Sequence, residues 1–135
     1  MLSVIIPAYN EENRIKETLI SYLNFLKKKD IKFEVLVVLN GCVDNTLKVV
    51  KSINSKNLRY KDYKEKLGKG GAILEGFKLA KGDYVGYVDA DNATKADQMY
   101  SLFENIGNYD CVIGSRWMKG SKIKKQPFID RKSVV

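Results

Sequence analysis

Gly82-Asp83-Tyr84-Val85-Gly86-Tyr87-Val88-Asp89-Ala90-Asp91 runs an apolar strand into two carboxylates separated by one residue. Residues i and i+2 of an extended segment point to one side, so Asp89 and Asp91 can face a single hard cation together if the strand geometry carries on. Such an ion could hold a diphosphate by its oxygens, because Mg2+ takes one or two carboxylates along with substrate phosphates and water. An acidic turn closing a strand is the other reading, since Asp favours turns. The surrounding segments decide between the two.

Working outward, residues 2–6 are a short β-branched run stopped by Pro7, and residues 33–39 are near-continuously apolar, as expected for a strand covered on both faces. Residues 58–63 read as a weaker strand nearer an edge, residues 83–88 as a fourth, and residues 109–114 as a fifth. Between them, residues 12–29 place Ile15, Leu19, Tyr22, Leu23 and Leu26 at spacings of three and four, the pattern of an amphipathic helix. Asp44, Asn45 and Thr46 offer N-caps for a helix carrying Leu47, Val50 and Ile53 inward. Residues 68–80 predict a helix entered through glycines, with Ala72, Leu74, Phe77 and Leu79 available for packing. Residues 95–106 predict another, with Met99, Leu102, Phe103 and Ile106 on one face. Alternating strands and helices imply an α/β domain with a mainly parallel sheet between helices, in which ligands collect at the carboxyl ends of the strands.

The chain has 135 residues, 44% hydrophobic and 30% charged, which is ordinary for one globular domain. Its apolar runs fall short of the roughly 20 residues that cross a bilayer, and its first residues lack the basic leader of a signal peptide, so a cytoplasmic location is expected. Two cysteines and no histidine exclude a disulfide scaffold and an ordinary zinc site. Cys111, in Tyr109-Asp110-Cys111-Val112-Ile113, reads as a small core residue. The net charge of +8 is concentrated in residues 116–135, where seven basic residues stand against Asp130 alone. Such a cluster could meet anionic lipid headgroups or a substrate phosphate, or remain solvated. Nucleic acid is not expected as a partner, because only Trp117 and Phe128 interrupt the cluster and no reader motif is present.

Three segments fall at strand ends: Pro7-Ala8-Tyr9-Asn10-Glu11, Asn40-Gly41-Cys42-Val43-Asp44, and Asp89-Ala90-Asp91. Tyr9 could stack on or bond a base, and Glu11 could bond a ribose hydroxyl. As isolated residues they would be a surface aromatic and a helix N-terminal acid. Gly68-Lys69-Gly70-Gly71 would let backbone amides at a helix start approach a phosphate, with Lys69 adding positive charge. It is neither a P-loop nor a dinucleotide fingerprint, since Lys69 is followed by Gly70 and no G-x-G-x-x-G follows the first strand. Arg116, just beyond the fifth predicted strand, could fork onto phosphate oxygens or form a surface salt bridge.

Taken in order, Val4-Ile5-Ile6-Pro7-Ala8-Tyr9-Asn10-Glu11, Asn40-Gly41-Cys42-x-Asp44, Gly68-Lys69-Gly70-Gly71-Ala72 with Gly76, Ala80-Lys81-Gly82-Asp83-Tyr84, Asp89-Ala90-Asp91 and Gly114-Ser115-Arg116 resemble the family 2 glycosyltransferases. The likeness is to the enzymes that make dolichyl or polyprenyl phosphate sugars, and it covers nearly the whole chain. The glycine-rich segment is most similar to the glucose-transferring branch, whereas Asp-Ala-Asp is shared with the mannosyl branch.

The resemblance implies a GT-A type, Rossmann-like three-layer sandwich, shortened at its carboxyl end, with residues 1–115 as the nucleotide-sugar-binding core and residues 116–135 as the start of the acceptor-side region. It also implies that Pro7, Tyr9 and Glu11 hold the nucleoside and that Asp89, Ala90 and Asp91 meet nucleotide and sugar. Asp91, with Asp89, would bind Mg2+ or Mn2+, while Arg116 and Arg131 would face donor or acceptor phosphates. The implied reaction is inverting transfer of a hexose from UDP-glucose or GDP-mannose to a polyprenyl or dolichyl phosphate, by a protein held peripherally at the cytosolic membrane face. A saccharide or protein acceptor, or a non-catalytic nucleotide-sugar-binding fragment or partner subunit, are the rival readings. Where the family has an Asp that reads the base, this chain has Leu39, which leaves Asn40 as the candidate replacement. Ala93 stands where some mannosyl enzymes have a metal-associated Gln, so water would complete the metal shell.

Overall fold

Strands and helices alternate as β1 (Leu2–Ala8), α1 (Ile15–Lys27), β2 (Phe33–Asn40), α2 (Thr46–Lys51), β3 (Leu58–Tyr63), α3 (Gly68–Leu79), β4 (Tyr84–Tyr87) and α4 (Ala96–Glu104). The computed structural model describes residues 1–115. All pairings are parallel, in the order β3-β2-β1-β4. The chain steps outward from β1 to β3 and then crosses back to pair β4 with the free side of β1. Such a switch of direction opens a crevice at the carboxyl ends of β1 and β4.

Every residue of β1 and β2 is buried, because helices cover both faces. On one side Val4, Ile6, Val35, Val37 and Leu39 pack with Ile15, Leu19, Tyr22 and Leu26 of α1, Val50 of α2 and Met99 of α4. On the other, Ile5, Leu36 and Val38 meet Ala72 of α3. Complete burial of each such aliphatic side chain contributes about 1.5–3 kcal/mol before chain entropy is counted. β3 is half exposed at one edge of the sheet, as its weaker pattern predicted.

Four expectations change. β1 does not stop at Pro7 but continues to Ala8, with Pro7 in register with Val38. The Ile5 carbonyl accepts the Val88 N–H and so faces β4. A residue two positions on faces the same way, and the β4 pairing ends at Ile5–Tyr87, so the N–H that Pro7 lacks costs no ladder bond.

α3 turns a different face inward from the one its large residues suggested. Leu74 and Phe77 are exposed at 62% and 44%, and the buried positions are Ala72 and Gly76. A Cβ on Gly76 would come within 2.5 Å of Ile5 Cγ2, so the small residues set a close approach of helix to sheet.

Residues 109–114 form no strand. Parallel pairing needs cover on both faces, yet α3 packs chiefly on β1 and β2, leaving α4 as the main helical partner of β4. Cys111, expected in the core, is consequently exposed. No helix among the described residues is long and apolar enough to cross a membrane.

At the amino ends of the strands, Ser3 and Glu34 are register partners and both are buried. Ser3 Oγ donates to Glu34 Oε1 at 2.6 Å and accepts the Gly82 N–H at 2.8 Å. The Glu34 carboxylate also takes the Lys81 N–H at 2.7 Å and the Arg59 guanidinium. A Cβ on Gly82 would lie 2.7 Å from the Met1 carbonyl oxygen, so only glycine lets this turn close onto β1.

Candidate active site

The carboxyl ends of all four strands open onto one cavity of about 300 Å3. It is lined by Pro7, Ala8, Tyr9 and Glu11 after β1, Asn40 at the end of β2, Lys66, Gly68 and Lys69 after β3, and Asp89, Ala90 and Asp91 after β4. The structure therefore brings together Pro7, Tyr9, Glu11, Asn40, Lys69, Asp89, Ala90 and Asp91. Arg116 and Arg131 lie outside the described residues.

β4 ends at Tyr87, but the inward and outward alternation continues past it: Val88, Ala90 and Asn92 are buried, whereas Asp89 and Asp91 are exposed. The two carboxylates thus share one side, and that side faces the cavity. α1 fixes the loop from beneath. Thr18 Oγ1 donates to the Ala90 carbonyl at 2.6 Å, and Tyr22 donates its phenol proton to the Thr94 carbonyl at 2.8 Å. Burial, with Asp97 nearby, pushes the Tyr22 phenol up, so it stays protonated and keeps donating. Asn92, at φ +58°, turns the chain after Asp91 and donates through Nδ2 to Glu17 at 2.9 Å. The Ala93 N–H is bound by Asp91 Oδ1 at 2.9 Å.

The opposite wall is built from β2 and the loop after β3. Asn40 Oδ1 accepts the Leu67 N–H. Gly41, at φ +64°, passes so close that a Cβ would lie 3.1 Å from the Lys66 nitrogen. These contacts seat Lys66 with its ammonium 4.2 Å from the centre of the Tyr9 ring, a cation–π contact. Asn40 thus spends its carbonyl oxygen on the loop, and its amide nitrogen remains to meet a ligand. Glu11 lines the cavity, but Arg14 grips its carboxylate with two bonds of 2.7 and 2.8 Å.

The segment after β1 is locked to the segment after β2. The Glu11 N–H donates to Thr46 Oγ1 at 2.8 Å, the Glu12 N–H to Asp44 at 3.2 Å, and the Val43 N–H to Asn10 Oδ1 at 2.9 Å. Partial burial works against the charge of Asp44, but the Thr46 hydroxyl and N–H and the Glu12 N–H outweigh it and hold the carboxyl below its ordinary range.

Lys69, on the first turn of α3, reaches across the cavity to pair with Asp89 Oδ1. No cluster of three or more His, Cys, Asp and Glu capable of holding a metal exists among the described residues. Among the described residues, the cavity's carboxylates are those of Asp89, Asp91 and Glu11, and Glu11 is held by Arg14. Two hard oxygen donors opening onto a cavity fit Mg2+ or Mn2+, ions that complete their shells with phosphate oxygens and water.

Lys66, Thr18, Tyr22 and Asn92 carry parts of this site that the sequence reading did not assign. Lys66 follows β3, so the strand-end rule that singled out the other three segments could have found it. Thr18 and Tyr22 act over 72 positions in the chain and leave no local pattern.

A parallel sheet with paired carboxylates and a glycine-entered helix at its carboxyl ends has the chemistry to hold a phosphorylated ligand through a divalent cation. The chain belongs to glycosyl transferase family 2, matched over residues 3–132. It is 35% identical over 144 residues to a dolichyl-phosphate beta-glucosyltransferase of Dictyostelium discoideum, a match covering 95% of this chain and 44% of that protein. The solved structure of S. aureus TarS 1-349 in complex with UDP is similar at a TM-score of 0.62 and 31% identity, over 79% of this chain and 32% of that 1-349 chain. Mannosyltransferase PcManGT from Pyrobaculum calidifontis, in complex with GDP-Man and Mn2+, is similar at 0.64 and 26% identity, over 78% of this chain and 32% of that one. These structures share the GT-A fold, and the four-stranded parallel sheet described above is its core. The chain spans less than half the length of the curated relatives it matches.

Proposed function

We propose that the cavity is the donor site of an inverting glycosyltransferase that moves a hexose from UDP-glucose or GDP-mannose to a polyprenyl or dolichyl phosphate. The observation that carries this reading is the convergence of Tyr9, Asn40, Lys69, Asp89 and Asp91 on one cavity at the switch point of the sheet. In it, Tyr9, Pro7 and Asn40 receive the nucleoside, Glu11 the ribose, and Asp91 with Asp89 the cation. Lys69 meets the diphosphate at the start of α3. Residues 1–115 form the donor-binding core, and residues 116–135, with Arg116 and Arg131, begin the acceptor side and approach the anionic membrane face.

An oxygen of the acceptor phosphate attacks the anomeric carbon as the bond from that carbon to the diphosphate breaks, and the nucleoside diphosphate departs with the electron pair. The bound cation would supply stabilisation of the charge on the departing diphosphate. A lipid phosphate is already an anion near neutral pH, so no general base is required, and the chain's own residues act by positioning and by charge. A lipid-borne acceptor also draws support from a second cavity of about 480 Å3 beside β4, lined by Phe77, Tyr84, Met99, Leu102 and Phe103, by residues 111–114 and by Asp89.

Calorimetry with UDP, GDP and base-free pyrophosphate, each with and without Mn2+, tests the donor site. Cation-dependent binding of one nucleoside diphosphate above pyrophosphate is expected. Binding that ignores both cation and base would end the reading. Transfer of labelled glucose or mannose to a polyprenyl phosphate tests the acceptor.

A further inference from the structure

Asp89 already has a cation. The Lys69 ammonium crosses from α3 to its Oδ1, with both side chains about half exposed, at 60% and 50%. Asp91, the second carboxylate on this side, is bonded among the described residues by the Ala93 N–H through Oδ1. A divalent ion seeking both carboxylates would meet a resident positive charge on one of them, and two cations crowded onto one carboxylate repel each other. Exposed pairs hold weakly, so the ammonium can leave if it is offered a better partner.

A diphosphate is that partner. The first turn of α3 has no side-chain cap, and a Cβ at Gly68 or Gly70 would meet nothing within 4 Å. The space beside Lys69 is therefore open, and its backbone amides favour an anion.

On the reading of this cavity as the nucleotide-sugar site, we propose that Lys69 is a charge placeholder. Its ammonium neutralises Asp89 in the ligand-free site and passes to the diphosphate as the divalent ion takes the carboxylate. Cation and nucleotide then bind as a coupled pair, each raising the other's affinity by the same factor, and the cation binds poorly alone.

The test is Mn2+ binding followed by electron paramagnetic resonance and calorimetry, with and without UDP and GDP, in the wild type, Lys69→Met, Lys69→Arg and Lys66→Met. Lys69→Met is expected to bind Mn2+ alone about three- to fivefold more tightly, from the release of an exposed pair. The same variant should bind the Mn2+–nucleotide complex about tenfold more weakly, from the loss of a charge-assisted phosphate contact. The opposite signs are the signature. Lys69→Arg should behave as the wild type, and Lys66→Met should leave Mn2+-alone affinity within twofold, because Lys66 lies on Tyr9 and not on a carboxylate.

Loss of both affinities in Lys69→Met with an unchanged thermal melt would overturn the placeholder role. So would an equal gain in Mn2+-alone affinity from Lys66→Met, which would reduce the effect to net charge. A wild type that binds neither nucleotide in the presence of Mn2+ would remove the nucleotide-sugar reading itself. A wild type that binds nucleotide without any coupling to Mn2+ would remove only the role of Lys69.

Discussion

At the amino ends of β1 and β2, Ser3, Glu34, Arg59, Lys81 and Gly82 form a closed set in which the buried carboxylate is bonded by a hydroxyl, a guanidinium and a backbone N–H. At the carboxyl ends of the same strands, Lys66 rests on an aromatic face, Lys69 holds a half-exposed carboxylate, and Asp91 bonds a single N–H. One end of the sheet consumes its polar groups internally, and the other leaves them open to exchange. A saturated charge stabilises the fold and is inert, whereas a loosely held charge contributes little to stability and can be given to a ligand.

The sharpest way to break that contrast is Asp91→Ala. Its removal is expected to lower the Mn2+-dependent part of nucleotide affinity about 100-fold, on the order of losses seen when a metal-supporting group is removed. The urea midpoint should stay where it was. Calorimetry and a denaturation curve on the same variant check both halves, and a large fall in stability would show that Asp91 belongs to the saturated kind.

Glu34→Ala is the converse. Deleting one partner of a buried ion pair leaves the rest uncompensated. Arg59 is 36% exposed, so the expected loss is about 2–3 kcal/mol, at or below the fully buried range. Nucleotide affinity should not change. Equilibrium urea unfolding measures the first, and an affinity change beyond twofold would contradict the independence of the two ends.

Asn40→Ala touches both behaviours at once, because its oxygen holds the Leu67 N–H while the residue lines the cavity. A cost of about 1–2 kcal/mol in stability is expected from the orphaned N–H. Nucleotide affinity should weaken severalfold, with a blurred preference between uridine and guanosine. Unaltered base preference in a weakened binder would assign Asn40 to the loop alone.

A finer test uses pH. Burial works against the Glu34 charge, but the Ser3 hydroxyl, the Arg59 guanidinium and the Lys81 N–H outweigh it and hold the carboxyl below its ordinary 4.5. A depressed folded value means that the stabilisation is complete above pH 4.5 and is lost as pH falls through the folded value. The stability gap between wild type and Glu34→Gln should therefore be constant from pH 7 to 5 and shrink below that, read from urea midpoints. The smallest effect concerns residues 116–135: weak association with anionic vesicles, released by added salt because charge is screened over about 8 Å at physiological ionic strength.

Most of the fold could be read in the sequence where pattern is local. The Ile15, Leu19, Tyr22 and Leu26 stripe fixed the face of α1, and the unbroken apolar run of residues 33–39 announced a strand buried on both sides. The strand-end rule placed Asp89, Asp91, Tyr9 and Asn40 at one edge of the sheet. Reading failed where the deciding partner is remote. Whether residues 109–114 become a strand depends on what covers β4, and whether Leu74 or Gly76 faces inward depends on how closely α3 approaches Ile5. The commitment of the Asn40 oxygen depends on where residue 67 returns. The rival claims of a metal and a lysine on Asp89 became visible only when α3 and the β4 end met across the cavity.

Thr18 and Tyr22 hold the carbonyls of Ala90 and Thr94, while the opposite wall hangs on the Asn40–Leu67 bond. The two walls are suspended from different scaffolding, one from a helix and the other from a strand. On the proposed donor-site reading, substitutions in the 64–67 loop would change which base is accepted without moving the carboxylates of Asp89 and Asp91. Donor preference would then drift along a lineage, or be redesigned in the laboratory, while the proposed chemical step keeps its geometry.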